Sequence, residues 1–183
     1  MRVVLGALFR FRVLGLENVP LGGVIISGNH ISGFDPPVVG IMQPRPVWYI
    51  AKAELFRYPG FRWVIAKLNA YPVHRGRPDR RALRATQEIV RHGGAVVMFP
   101  EGHRTETGNL QEPRRGVAFV ARVAHVPVVP VGVVGPYRLG RRVTLAFGPP
   151  ITMVQGESLD AFSGRLMDAI REQVRLAETS TSR

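Results

Sequence analysis

The chain has 183 residues, of which 45% are hydrophobic, so it can bury the core of one domain but not comfortably of two. It contains no cysteine, which excludes disulfides, thiolate nucleophiles and cysteine-bound zinc. Its net charge of +12 indicates a polyanionic partner, either nucleic acid or an anionic membrane surface. The sequence has no helix-turn-helix pattern, no aromatic RNA-binding signature and no zinc finger, so the membrane is the favoured partner and nucleic acid is not expected.

The predicted elements alternate between strands and helices along the chain. Short β-prone runs at 11–15 and 24–27 are followed by a helix at Pro37–Met42, since proline is tolerated in the first turn of a helix. The remaining elements are strand Val47–Ala51, helix Phe61–Leu68, strand Ala70–Val73, helix Asp79–His92 with Asp79 as its cap, strand Ala95–Phe99, helix Gly116–Ala124, strands Val128–Val134 and Val143–Phe147, and helix Leu159–Ala177. This order predicts a single α/β domain in which helices flank a mixed, largely parallel sheet.

The ends of the chain and its apolar stretches bear on membrane attachment. The longest apolar stretch, at 116–135, is broken by arginine, histidine and proline, whereas a span needs roughly 20 predominantly apolar residues. Residues 1–10 form a possible short interfacial segment, with a first core element as the alternative. We expect the main domain at 11–177 and a frayed tail at 178–183. The sequence thus predicts a cytoplasmic protein that is peripheral on the inner face of the cell membrane.

A histidine and an aspartate lie five positions apart in the loop N-H-I-S-G-F-D, residues 29–35. If the chain turns at Ser32 and Gly33, Asp35 can accept a hydrogen bond from one ring nitrogen of His30 while the other nitrogen takes a proton. Histidine suits a general base because its unperturbed pKa is about 6.5. The alternative is that Asp35 caps the following helix and that His30 is an ordinary polar loop residue.

A second polar loop, F-P-E-G-H-R-T at 99–105, follows the apolar strand predicted to be central. Pro100 and Gly102 favour a tight turn, whose backbone N–H groups can bind an anion. Arg104 can bind a phosphate bidentately, and Glu101 can orient Arg104 or bind an acceptor hydroxyl. The alternative is a polar turn with a solvated arginine. Because ligand sites of such sheets lie beyond the carboxyl ends of strands, we expect the two loops to be neighbours.

Other segments have two interpretations each. Arg75, in Y-P-V-H-R-G at 71–76, follows a predicted strand and either shares the phosphate or is solvated. The run V-P-V-V-P-V at 126–131 either packs in the core or walls an acyl channel. Four further arginines, at positions 77, 80, 81 and 84, either contact lipid headgroups or face solvent.

Four motifs thus stand in a fixed order: NHISGFD, YPVHRG, FPEGHRT and VPVVPV. Over roughly residues 11–150 the chain resembles the glycerolipid acyltransferase family that contains the 1-acylglycerol-3-phosphate acyltransferases. That family is marked by an H-x4-D motif, an arginine motif, an F-P-E-G-T-R-S motif and a proline-centred apolar motif. Two residues depart from the pattern, since His103 stands where the family usually has threonine and Thr105 where it has serine.

The resemblance implies a glycerolipid-acyltransferase-like fold and a role for each motif. His30 would deprotonate the acceptor hydroxyl, which attacks the thioester of acyl-CoA or acyl carrier protein, and Asp35 would orient His30. The acceptor, chiefly its phosphate, would be held by Arg75, Glu101, Gly102 and Arg104, with help from Lys52. No metal, no further cofactor and no covalent acyl-enzyme are expected.

The expected reaction is acyl transfer to the sn-2 hydroxyl of 1-acyl-glycerol-3-phosphate, in phospholipid biosynthesis. The partners would be the acyl donor, a lysophospholipid acceptor and an anionic membrane surface. One alternative keeps the chemistry but uses glycerol-3-phosphate or another lysolipid. A second is a hydrolase in which His30 activates water on a thioester, and a third is a non-catalytic module that binds anionic lipid or nucleic acid.

Overall fold

In a computed structural model, residues 9–74, 79–104 and 110–181 are described, and they fold around a seven-stranded sheet. The strands are β1 (Arg10–Leu14), β2 (Val24–Gly28), β3 (Val47–Lys52), β4 (Ala70–Val73), β5 (Ala95–Met98), β6 (Val128–Val134) and β7 (Arg142–Phe147). The α-helices are α1 (Asp35–Ile41), α2 (Pro59–Lys67), α3 (Arg80–Arg91), α4 (Gly116–Ala124) and α5 (Leu159–Thr181), and short 3-10 helices lie at Leu16–Asn18 and Ala53–Arg57.

The sheet has the strand order β1-β7-β6-β2-β5-β3-β4. All neighbouring strands are parallel except β6 and β7, which are antiparallel. The predicted fold class, a single α/β domain with a mixed, largely parallel sheet, is therefore confirmed. Because β2, β3, β4 and β5 are parallel, their carboxyl ends meet at one edge of the sheet, and the loops that follow them become neighbours.

The central strands are covered on both faces. One layer of core side chains packs under α1, and the opposite layer packs under α3, α4 and α5. Strand β2 shows the consequence, since Val24 and Ile26 belong to the first layer, Ile25 belongs to the second, and all three are fully buried. A parallel strand covered on both faces is mostly apolar, and the runs at β5 and β6 are apolar throughout.

Most element bounds agree with the sequence-based expectation, and α1 shows why one differs. It begins at Asp35 instead of Pro37, because Pro36 and Pro37 both fit its first turn, where the backbone N–H they lack has no partner within the helix. Helix α3 begins as expected, with the Asp79 carboxylate accepting hydrogen bonds from the N–H groups of Arg81 and Ala82.

The two chain ends differ from the expectation. The tail predicted at 178–183 is helical as far as Thr181, because the hydroxyls of Thr181 and Thr144 lie 2.7 Å apart and Arg12 donates to the carbonyl of Ser180. Of the interfacial segment predicted at 1–10, residues 1–8 lie outside the described ranges. Phe9 is buried and Arg10 begins β1, so these two residues belong to the domain.

Close packing of α5 on β6 depends on Gly132, and substitution of this glycine tests that dependence. A Cβ at Gly132 would lie 2.3 Å from the carbonyl carbon of Gln173. We expect Gly132→Ala to lower the free energy of unfolding by about 1–3 kcal/mol or more, because helix backbone must move away. Gly164→Ala is the control, since nothing lies within 4 Å of a Cβ there, and it should raise that free energy by about 0.5–1 kcal/mol. Urea unfolding measures both, and equal effects would contradict this account.

Candidate active site

A buried histidine–aspartate pair lies just beyond the carboxyl end of β2. The Nδ1 atom of His30 and the Oδ2 atom of Asp35 are 2.8 Å apart, and both side chains are buried. A carboxylate oxygen is an acceptor, so the ring proton lies on Nδ1 and the Nε2 atom is left to bind another group. His30 also lines the cavity beside β5. The pair therefore has the geometry of a general base held by an acid.

The Asp35 carboxylate is fully buried and receives hydrogen bonds on both oxygens. Oδ2 accepts from the His30 ring and from the backbone N–H groups of Ile31 and Ser32, both at 2.7 Å. Oδ1 accepts from the hydroxyl of Tyr137 at 2.7 Å. These donors offset the cost of burying the charge. The carboxylate thus points back into the loop before α1, so the helix-cap alternative raised by the sequence is wrong: no side-chain cap is made at the start of α1.

Tyr137 was not predicted from the sequence, because it lies 102 positions from Asp35 in the loop after β6. Burial and the neighbouring Asp35 carboxylate raise the pKa of Tyr137, so its hydroxyl remains a donor. Its ring packs edge-on against Phe9 at 5.6 Å and lies 5.8 Å from Phe34, between ring centroids. Aromatic packing therefore fixes the position of this hydroxyl.

The His30 ring is held from two further sides. It stacks on Phe99, with ring centroids 4.1 Å apart and the planes inclined by 15°. The preceding residue, Asn29, donates to the carbonyl of Val133 at 2.9 Å and accepts from the N–H of Val133 at 2.8 Å. The loop is thus fixed to β6 on one side and to the chain after β5 on the other.

The second loop brings a buried carboxylate to the same edge of the sheet. Glu101 is fully buried, and its Oε2 atom accepts from the N–H of Gln111 at 3.1 Å. Its Oε1 atom has no hydrogen-bond partner among the described residues. Burial raises the pKa of Glu101, although the backbone N–H groups of Gln111 and His30 act in the opposite direction. Oε1 can therefore accept a hydrogen bond from a bound hydroxyl.

Two arginines lie at the second loop, and one of them, Arg104, is part of it. Gly102 adopts a φ of +76°, which favours glycine, and the Arg114 side chain lies over it, 2.9 Å from where a Cβ would be. Arg104 is exposed, and its Nη1 atom lies 3.7 Å from where a Cβ of Gly33 would be. The structure thus brings Arg104 beside the His30–Asp35 loop, as expected, and adds Arg114, which the sequence analysis did not single out.

The other predicted phosphate ligands are placed differently. Lys52 ends β3 at the same edge of the sheet, but its Nζ atom lies 3.8 Å from the Glu54 carboxylate and it does not line the cavity beside His30. Arg75 lies outside the described residues.

The Val-Pro run at 126–131 leads into β6 and forms its first half. Val128, Val129 and Val131 are fully buried there, so these residues pack in the core.

The wall of the cavity beside His30 is largely apolar. Its lining includes Ile50, Val73, Leu83, Val97, Met98 and Val117. At its rim, the N–H of His74 donates to Asp79 at 2.9 Å. Within the described ranges, no group of three or more histidine, aspartate or glutamate side chains could hold a metal ion. The cavity thus combines an apolar wall with His30 and Arg114, whereas Glu101 and Arg104 lie in the adjacent loop and do not line it.

Residues 10–134 match the sequence profile of the protein family named Acyltransferase. The chain belongs to this family. The matched segment contains His30, Asp35, Glu101 and Arg104, and it ends with β6. Both loops of the candidate site therefore lie within the part of the chain that matches the family.

Comparison with individual proteins agrees. The chain is 28% identical to the 1-acyl-sn-glycerol-3-phosphate acyltransferase of Bacillus subtilis, over 74% of this chain and 68% of that protein. It is 31% identical to the enzyme of that name from Pseudomonas aeruginosa, over 71% of this chain but only 51% of that protein. The crystal structure of the 1-acyl-sn-glycerophosphate acyltransferase PlsC from Thermotoga maritima superposes with a TM-score of 0.76, at 25% identity, covering 93% of this chain and 73% of that one.

No helix in the described part of this acyltransferase is long and apolar enough to cross a membrane.

The hydrogen bond from Tyr137 to Asp35 predicts a specific effect of removing this hydroxyl. Tyr137→Phe leaves the buried Asp35 carboxylate with one donor fewer, so the carboxylate and the His30 ring are held less firmly. We expect kcat to fall by about tenfold and the KM for the acceptor to stay unchanged, because Tyr137 does not line the cavity beside His30. Tyr71→Phe is the control, because it also removes a buried hydroxyl's hydrogen bond, here with Thr86 at 2.6 Å. An unchanged kcat in Tyr137→Phe would contradict the positioning role.

Proposed function

We propose that this acyltransferase moves a fatty acyl group from acyl-CoA or acyl carrier protein to the sn-2 hydroxyl of 1-acyl-glycerol-3-phosphate. The observation that carries the proposal is the buried His30–Asp35 pair, which leaves Nε2 of His30 free beside the cavity. The names of the Bacillus and Pseudomonas relatives support this acceptor. Because the chain spans only about half of the Pseudomonas protein, we propose the donor and the acceptor and do not take them over from that relative.

The proposed reaction needs only proton transfer and an addition–elimination at the thioester carbon. Nε2 of His30 takes the proton of the acceptor hydroxyl, whose oxygen forms a bond to the thioester carbonyl carbon. The tetrahedral adduct then expels the thiolate, and the imidazolium returns its proton to that sulfur. Asp35 stabilises the imidazolium through Nδ1. We propose that no metal and no further cofactor take part.

The second loop would hold the acceptor. Arg104 can bind its phosphate bidentately next to the His30–Asp35 loop. The Oε1 atom of Glu101, which has no partner among the described residues, can accept from the attacking hydroxyl or its neighbour and would orient the acceptor towards His30. Gly102 lets the backbone approach closely. Lys52, at the end of β3, and Arg75, which follows β4 in the sequence, are proposed to add positive charge.

We also propose that the protein is peripheral on the inner face of the cell membrane, and that α2 and the residue before it make the contact. The α2 surface is apolar and exposed: Tyr58 and Trp63 are 65% and 66% exposed, and Phe61 and Val64 are exposed beside them. Basic side chains surround these residues, namely Arg57, Arg62 and Lys67. Interfacial aromatic side chains with flanking cations suit an anionic lipid surface.

Replacing the proposed base tests the reaction. We expect His30→Ala to lose acyl transfer by about a hundredfold or more, because the base is removed. It should keep the fold, because the N–H groups of Ile31 and Ser32 and the hydroxyl of Tyr137 still donate to the Asp35 carboxylate. The assay combines purified protein, labelled acyl-CoA or acyl carrier protein, and a panel of acceptors that includes lysophosphatidic acid and glycerol-3-phosphate, with products identified by mass. Full activity of His30→Ala would refute the mechanism. Donor consumption that is equal with and without an acceptor would instead indicate a hydrolase.

Arg104 has a separable role in the proposal. We expect Arg104→Gln to raise the KM for the phosphate-bearing acceptor by about tenfold, because a charge-assisted bidentate contact is lost. Arg171→Gln on α5, also exposed, is the matched control. An unchanged acceptor KM in Arg104→Gln would remove this residue from the phosphate site.

Membrane contact through α2 is tested by co-sedimentation with vesicles that contain phosphatidylglycerol. We expect Phe61→Ser combined with Trp63→Ser to weaken binding by about tenfold or more, because each apolar side chain buried in the interface contributes about 1.5–3 kcal/mol. Val154→Ser combined with Leu176→Ser changes two other exposed apolar residues and should leave binding unchanged. If both pairs behave alike, α2 is not the contact surface.

A further inference from the structure

A basic groove between α3 and α4 opens beside the active site. Its lining from α3 lies on one helix face, at the i, i+3, i+4 and i+7 positions Arg80, Leu83, Arg84 and Gln87. The rest of its lining comes from the residues just before α4, from α4 itself and from the start of α5. These residues are Arg114, Arg115, Gly116, Phe119, Val123 and Leu159. The sequence alone left open what Arg80 and Arg84 contact, and the fold places both on this groove.

The groove and the cavity beside His30 share part of their lining. Leu83, Arg114 and Gly116 contact both, and the Arg114 side chain also covers Gly102 in the second loop. The groove and the cavity beside His30 are therefore adjacent. The groove encloses about 680 Å³, within the range of roughly 300–1,000 Å³ that is usual for small-molecule sites.

The charge of the groove is positive and largely uncompensated. Arg80, Arg84 and Arg114 are exposed and make no ion pair with a described residue, whereas Arg115 is paired with Asp160 at 2.6 Å. The first turn of α4 has no side-chain cap, so its N–H groups add partial positive charge at the end nearest the active site. Between the arginines lie half-buried apolar side chains, with Phe119 among them. This combination suits a ligand with several phosphates and a flat apolar ring.

We propose that this groove binds the nucleotide portion of the acyl donor, so that the donor is acyl-CoA. This inference rests on the proposed acyl transfer. The 3′-phosphate and diphosphate of CoA would contact Arg80, Arg84 and Arg114, and the adenine would lie on the apolar floor. The pantetheine arm would run past Arg114 to bring the thioester to His30. The apolar floor between the arginines favours CoA, which carries an adenine, over acyl carrier protein, whose phosphopantetheine arm has no ring.

The test measures binding without catalysis, by titration calorimetry at one ionic strength. The ligands are CoA, 3′-dephospho-CoA, 4′-phosphopantetheine and acyl carrier protein. The proteins are the wild type, Arg80→Gln with Arg84→Gln, and a control with the same charge change, Arg81→Gln with Arg122→Gln. Both control residues are exposed and neither lines the groove. We expect the wild type to bind CoA about tenfold or more tightly than phosphopantetheine, because charge-assisted contacts to the phosphates are lost in the shorter ligand.

The groove variant should lose that preference, and the control should keep it. In turnover, the groove variant should raise the KM for acyl-CoA and leave the KM for the acceptor unchanged. Retention of tight CoA binding in the groove variant would overturn the proposal, as would equal affinity of the wild type for CoA and phosphopantetheine. Binding of acyl carrier protein with no binding of CoA would assign the donor to the carrier protein instead. If CoA binds as expected but no acceptor is acylated, the proposed reaction fails and the groove assignment stands.

Discussion

The site depends on one buried carboxylate. Asp35 is fully removed from solvent, and such a charge is costly unless every oxygen is hydrogen-bonded. Its donors come from the His30 ring, from the two backbone N–H groups that follow His30, and from Tyr137 in the loop after β6. To provide these hydrogen bonds, the segment from His30 to Asp35 turns back around the carboxylate, and the loop after β6 packs against it. The orientation of the His30 ring follows, because its Nδ1 atom is one of the donors.

The parallel sheet places the loop that carries this carboxylate beside the loop that carries Glu101. Strands β2 and β5 are neighbours, with Ser27 paired to Met98, so the loops that carry His30 and Glu101 leave the sheet side by side. Glu101 differs from Asp35 in one respect: it is equally buried, but its Oε1 atom has no hydrogen-bond partner among the described residues, and burial raises its pKa. Most buried polar atoms in native proteins are hydrogen-bonded, and this exception is the reason for proposing that the acceptor binds at Glu101.

The sequence-based interpretation succeeded where the signal is local. The apolar run of β5, the Asp79 cap of α3 and the limits of α4 follow from short-range patterns, and all three agree with the structure. The His30–Asp35 contact also spans only five positions. Helix ends were less well predicted, since α5 continues to Thr181 through contacts with Thr144 and Arg12, which lie far away in the sequence. A frayed tail is the usual outcome only when such contacts are missing.

The sequence by itself determined the α/β class, the family and the pairing of His30 with Asp35, because periodicity, turn residues and motif order are local properties. Only the tertiary structure decided which residues complete the site. Tyr137 reaches Asp35 from 102 positions away, and Arg114 joins the active-site loop to the groove between α3 and α4. No local pattern marks either residue, because their roles arise when the sheet brings distant loops to one edge. The same holds for Arg80 and Arg84, which in the sequence are part of a charged helix and in the fold line a groove.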